Sequence, residues 1–309
     1  YILPDILSEL WKEREAAKEA DNQPLARAIK IIMNSFYGVL GSPGCRFCDS
    51  RIASNITLRG HEIMNRSREQ IEARGFSVLY GDTDSLFVLL GEDYSEAEAI
   101  AAGKDFAKML NEFWSDTLPV EYGVESHLEI ETEELYLRFF MPTIRGSERG
   151  SKKRYAGLVR QGDTTEVRFT GLESVRSDWT PLARRFQREL YQRVFHDLPY
   201  EEYVQQTATD LMGGLLDEEL VYRKRVRRAL EDYTKNVPPH AQAARKSKRP
   251  GRWIRYVITN KGPEPLDNNP SPIDYYHYLE RQVAPAGDAL LQCMGTSVKK
   301  ILDQQMTLF

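Results

Sequence analysis

The chain has 309 residues, of which 41% are apolar and 28% charged, enough apolar material for two or three compact units, and this excludes wholesale disorder. Its formal net charge is −4, yet the sum conceals two opposed regions. Acidic residues dominate 92–134, whereas 145–160 and 223–255 are strongly basic, so the overall acidity does not exclude a nucleic-acid partner. The predicted elements begin with two helices at about 3–20 and 24–40, separated by the breaker Asp21-Asn22-Gln23-Pro24, which should form an antiparallel pair. Arg14 and Lys18 stand one turn apart on the first, and Lys30, Asn34 and Tyr37 share a face of the second. If the facing sides carry Arg14, Lys18 and Lys30, three cations converge where a triphosphate could lie; a solvated helix face is the commoner fate of Arg14 and Lys18 alone. Phe36 and Tyr37 precede a glycine-rich exit, 38–44, where an aromatic face could approach a base closely.

An amphipathic helix over 54–73 ends at Gly75. The runs 76–80 and 86–90 are rich in β-branched and aromatic residues and flank Gly81-Asp82-Thr83-Asp84-Ser85, which predicts a hairpin with Gly81 easing a tight turn and both aspartates near its tip. Side chains two apart on extended backbone point the same way, so Asp82 and Asp84 could present paired oxygens to Mg²⁺. An ordinary Asx turn is the competing reading. A helix over 95–114 and strands near 127–141 and 154–161 follow, with Glu129, Glu131, Glu133 and Glu134 read as one solvent-facing strand side plus a turn. Helices on an antiparallel sheet give an α+β class. From Gly171 onward the pattern is mostly helical, with helices over 180–195, 199–212 and 272–283. The basic stretch 241–250 lacks large apolar groups and reads as a mobile loop, either contacting phosphates or merely solvated.

The blocks now in view carry a resemblance. Lys30 to Gly38 resembles the K-x-x-x-N-S-x-Y-G motif of family B DNA polymerases, Tyr80 to Ser85 their Y-x-D-T-D-S motif, and Lys152-Lys153-Arg154-Tyr155 their K-K-x-Y motif, followed by 171–178 at the entry to a thumb. Four blocks in order make the likeness specific, and it covers nearly the whole chain. It implies helical-hairpin fingers at 1–50, part of an antiparallel-sheet palm with packed helices at 51–168 and a mainly helical thumb at 169–300. Arg14, Lys18, Lys30 and Asn34 would then bind the phosphates of a deoxynucleoside triphosphate, and Tyr37 would pack on the nascent base pair. Asp84 would be the main ligand of two Mg²⁺ ions, with Asp82 more weakly engaged. Tyr80, Lys152, Lys153, Arg154, Tyr155, Arg223, Lys224 and Arg225 would contact primer-template DNA.

Family members also use an aspartate in a D-x-x-S-L-Y-P-S motif that should precede the helix pair, and these residues contain no such run. The expectation is therefore a carboxy-terminal part of a longer polymerase, inactive alone. The last residues, Gln305-Met306-Thr307-Leu308-Phe309 (tail 301–309), resemble the Q-x-x-L-F peptide by which bacterial polymerases bind a sliding clamp: Met306, Leu308 and Phe309 would fill apolar pockets and Gln305 would supply hydrogen bonds. The alternative is a DNA- and clamp-binding module without chemistry. Cys45-x-x-Cys48 has only Cys293 besides it and no suitably spaced histidine pair, so reduced packing cysteines are expected rather than zinc. None of the five histidines is assigned a catalytic role. No secretory signal or membrane-spanning run is visible, which with the resemblance points to a cytoplasmic, nucleoid-associated protein of a bacterium.

Overall fold

The computed structural model describes residues 2–143, 150, 151, 153–249 and 251–306. It is an α+β chain that divides into two compact units, Tyr1–Thr132 and Glu133–Phe309.

The first unit opens with α1 (Ile2–Glu19) and α2 (Gln23–Leu40). The Asn22 side chain accepts from the backbone N–H of Leu25 and Pro24 sits in the first turn, so the second helix starts where the sequence places both a cap and a proline. On α2 the residues Ala26, Ile29 and Leu40 are buried with Met33 and Phe36 half-buried, which leaves Lys30, Asn34 and Tyr37 together on the exposed side. Next comes α3 (Ser50–Glu72), capped by Asp49 and packed against both α2 and the hairpin of β1 (Ser77–Asp82) and β2 (Ser85–Leu89). A full capping box at Ser95 and Glu98 launches α4 (Glu96–Tyr122), which runs eight residues beyond the predicted end and through Pro119 to a left-handed stop at Gly123. Its Phe106 and Leu110 close a small core with Ile71 of α3 and, from the hairpin, Val78, Leu86 and Val88.

The strand expected near 127–141 is mostly absent. Residues 124–135 have no regular structure; within them the Ile130 backbone is satisfied by a side chain instead of a strand partner, Asn111 donating to its carbonyl at 2.8 Å and accepting from its N–H at 3.0 Å.

In the second unit, β3 (Tyr136–Phe140), β4 (Tyr155–Gln161) and β5 (Thr164–Thr170) form an antiparallel sheet with β4 in the centre. Then follow α5 (Pro181–Phe195), α6 (Glu201–Met212), β6 (Tyr222–Arg225), α7 (Pro239–Lys246), β7 (Trp253–Thr259), β8 (Gly262–Pro265), α8 (Tyr275–Tyr278), α9 (Ala284–Leu291) and α10 (Val298–Met306). The strands β6, β7 and β8 make a second antiparallel sheet, so the stretch expected to be mainly helical has a sheet within it. The core joins Leu182, Phe186 and Leu190 of α5 to Leu211, Ile254 and Leu291.

The basic stretch 241–250 is not a loop at its start: α7 buries Ala241, Ala243 and Ala244 completely or nearly so. Alanine is the best helix former, and a methyl-sized face lets this helix lie close against β7 and β8 without any large apolar group. The helix expected over 272–283 begins at Tyr275, widens into a π-turn at Leu279–Val283 and continues as α9. Pro285 lacks the N–H that would bond back one turn, and the wider turn accommodates that gap.

Candidate functional site: an acidic hairpin tip and two cationic clusters

In the register of the hairpin Asp82 pairs with Ser85, so the connecting turn is Thr83 and Asp84 alone. The left-handed residue is Thr83, at φ 51°, not the glycine. Gly81 lies inside β1 opposite Leu86, and a Cβ there would stand 3.1 Å from the Leu86 side chain. The predicted hairpin is therefore present, but Gly81 serves close packing rather than the turn. Asp84 is in the turn, so the alternation that would aim it with Asp82 does not apply to it. Asp82 is half-buried at the strand end and accepts from the Thr83 hydroxyl at 3.2 Å; Asp84 is exposed and accepts from the Ser85 hydroxyl at 3.4 Å. Tyr80, on the same hairpin, packs against Phe87 with ring centroids 5.6 Å apart.

Among the described residues no group of three His, Cys, Asp or Glu side chains is arranged to hold a metal ion. Two carboxylates are nevertheless a fitting donor set for Mg²⁺, a hard cation that keeps waters and is commonly held by one or two carboxylates plus substrate phosphates.

The cations on α1 have protein partners. Lys18 Nζ donates to Glu129 Oε1 at 3.1 Å and lies 3.0 Å from Glu15 Oε1. Arg14 reaches Glu129 at 3.5 Å and its guanidinium lies 5.1 Å from the centroid of the Trp11 ring. Hydrogen bonds to Glu15 first, then to Glu129, raise the Lys18 pKa above the usual lysine value. Burial alone would push Glu129 up, but the Lys18 hydrogen bond and the nearby charges of Lys18 and Arg14 outweigh it and hold the carboxyl below its usual value. Glu129 was expected on a solvent-facing strand side; it is instead the anion that holds both cations. Nothing in sequence spacing pointed to it, since the contact spans 111 positions.

Lys30 and Asn34 are exposed on α2, and no ion pair engages Lys30 among the described residues. Asn34 and Tyr37 line a cleft of about 410 Å³ with Leu3, Leu7, Met33 and Ile56. The Thr57 hydroxyl donates to the Ala53 carbonyl at 3.0 Å, which leaves its oxygen to accept from the Tyr37 hydroxyl at 2.9 Å. This pins the ring of Tyr37 to α3 with 47% of the residue still exposed.

In the second unit Lys153 is exposed in the left-handed region at φ 59°. Its carbonyl oxygen occupies the space a Cβ on Gly171 would need, and Gly171 itself is at φ +62°, so only glycine fits that crossing. Arg154 is turned to the buried carboxylate of Glu173, which also accepts from Gln187 at 2.9 Å. Tyr155 packs against Phe139, centroids 5.4 Å apart. Arg223 and Arg225 are exposed on β6, whereas Lys224 points the other way, 3.9 Å from Asp178. Lys152, Leu308 and Phe309 lie outside the described residues; of Gln305 and Met306 only the helical backbone of α10 is described. Cys45, Cys48 and Cys293 are free thiols. Among the described residues no helix is long and apolar enough to cross a membrane.

Comparison with known proteins agrees with the motif blocks. The model of DNA polymerase family B matches residues 2–294. DNA polymerase II of Escherichia coli K12 is 49% identical over all of this chain and 41% of its own length. A DNA polymerase of Thermococcus sp. 9oN-7 and one of Thermococcus gorgonarius are each 30% identical over 95% of this chain and 39% of their own lengths. The chain thus spans about two fifths of these relatives. With residues 2–294 matched by the family model and the whole chain aligned to one of its polymerases, the chain belongs to DNA polymerase family B.

Proposed function

We propose that the chain supplies the fingers, part of the palm and the thumb of a template-directed DNA polymerase that adds deoxynucleotides to a primer 3′-hydroxyl. The observation that carries the reading is the hairpin of β1 and β2, which sets Asp82 at a strand end and an exposed Asp84 in the adjoining turn, in a run that resembles the family's Y-x-D-T-D-S motif. Asp84 and Asp82 would hold Mg²⁺ together with the nucleotide phosphates. The chemistry supplied by two bound ions is activation of the primer hydroxyl and neutralisation of the transferred phosphoryl group. Arg14, Lys18 and Lys30 would orient the triphosphate, Arg14 with a planar fork and the lysines as point charges; Asn34 assists, and Tyr37 borders the base pair. For Arg14 and Lys18 to do this, the phosphates must displace Glu129. Exposed Lys153, Arg223 and Arg225 would meet the DNA backbone, which makes binding salt-sensitive, and the last five residues would dock on a sliding clamp.

The residues lack the D-x-x-S-L-Y-P-S aspartate, so the 309 residues alone are expected not to extend a primer; template-dependent extension by them would refute this. In the full-length polypeptide, Asp84→Asn should slow primer extension by about 10²–10³-fold, matching the several kcal/mol of charge stabilisation that metal ions provide. Extension at the parent rate would remove Asp84 as a metal ligand; no extension by the parent polypeptide itself would leave only the DNA- and clamp-binding module.

A further inference from the structure

The pairing of β6 with β7 sorts a basic run of sequence into two faces. Tyr222 lies opposite Tyr256 and Lys224 opposite Ile254, and this set faces the core or, for Lys224, Asp178. The alternate set, Arg223 opposite Arg255 and Arg225 opposite Trp253, is exposed. Three guanidiniums and one indole therefore share one solvent face of a two-strand ladder.

Each feature of this face is costly for a merely structural surface. Like charges directly opposite across an antiparallel pair are destabilising. None of Arg223, Arg225 and Arg255 is in an ion pair among the described residues, although the neighbouring Lys224 and Arg176 both find Asp178. Trp253 is 53% exposed, whereas Trp114, of the same chain, is 1% exposed. The Arg223 guanidinium lies 4.8 Å from the Trp253 ring centroid, which backs one side of the indole and polarises it while the rest of the ring stays open.

We propose that this face is a binding site for an unpaired DNA strand, in which a base stacks on Trp253 while Arg225, Arg255 and Arg223 hold the flanking phosphates. Charge complementarity selects a polyanion, and the exposed indole selects one with free base faces; in a duplex those faces are already stacked. The site goes beyond the proposed polymerase contacts, since it uses two residues outside them, Trp253 and Arg255, and acts on strand that is not base-paired.

The test is a fluorescence titration of the full-length polypeptide with a short dT oligonucleotide and, separately, a blunt duplex of the same length. The dT strand should quench tryptophan emission. Trp253→Leu should abolish most of the quenching and weaken dT binding about tenfold, within the range for loss of one base–aromatic stack, with a smaller effect on the duplex; Trp253→Phe should restore most of the affinity. Arg255→Gln should reduce the slope of log affinity against log salt by ~0.7, one single-strand phosphate contact. Unchanged dT affinity in Trp253→Leu, or equal weakening for both DNA forms, would overturn the proposal. Quenching by dT in a polypeptide that does not extend primers would support this site while removing the catalytic reading, so the two fail separately.

Discussion

Glu129 stands to Arg14 and Lys18 as a phosphate oxygen would: an anion within 3.5 Å of one and 3.1 Å of the other. A triphosphate that uses those cations competes with it. Because the Glu129 side chain is 42% exposed, water screens both pairs, and each contributes only ~0.5 kcal/mol. Glu129→Gln should therefore lower the nucleotide KM about two- to fivefold with little change in kcat, measured by single-nucleotide incorporation in the full-length polypeptide. An unchanged or raised KM would show that the carboxylate does not compete. Arg14, Lys18, Lys30, Asn34, Tyr37 and the two aspartates stand out in the sequence as candidates because each sits in a short motif or at helical spacing. Glu129 does not, since no local pattern encodes a contact between α1 and an irregular segment more than a hundred residues away.

At the scale of elements, periodicity and caps located most helices, and it was context that moved their ends. Ser95 and Thr180 each accept a backbone hydrogen bond at an expected helix start, whereas α3 begins at Ser50 behind an unread Asp49 cap, ahead of the expected 54, and α7 was missed because its buried face is alanine and its remainder basic. A second element-level feature responds to pH. His277 follows the Asp274 cap of α8, and its Nε2 lies 3.3 Å from the Tyr222 hydroxyl. Burial lowers its pKa from the usual 6.5; Asp274 and Glu280 oppose this shift and Arg281 adds to it. A depressed folded-state pKa means the neutral ring is favoured by folding. Its contribution is fully present above about pH 6.5 and is lost as pH falls through the lower folded value. Burial also lowers the His240 pKa, so the informative quantity is a difference. Thermal melts followed by circular dichroism should show the midpoint falling less steeply with acid in His277→Gln than in the parent; equal slopes would remove His277 as the cause.

At the scale of the molecule, two units each have a core of their own, one around Ile71, Phe106 and Leu110, the other around α5. The net charge of −4 says little about partners, because β6 and β7 expose arginines while segment 92–134 carries the acids. The proposed clamp contact also belongs to this scale. A short peptide on a ring raises the local concentration of primer ends without touching the chemistry. Deleting Leu308 and Phe309 should abolish retention of the full-length polypeptide on immobilised clamp and shorten its products when clamp is loaded; equal retention would sink the tail assignment.

The sequence by itself determined the family, the α+β class, the hairpin with its two aspartates and the helix pair, since these follow from spacing, caps and contiguous motifs. Only the tertiary structure decided that Thr83 rather than Gly81 makes the turn, that Lys224 faces Asp178 while its neighbours face solvent, and that Glu129 holds Arg14 and Lys18 of α1. Those outcomes depend on strand register and on contacts between distant segments. A one-residue change in register exchanges the two faces of a strand, and composition carries no record of which face was chosen.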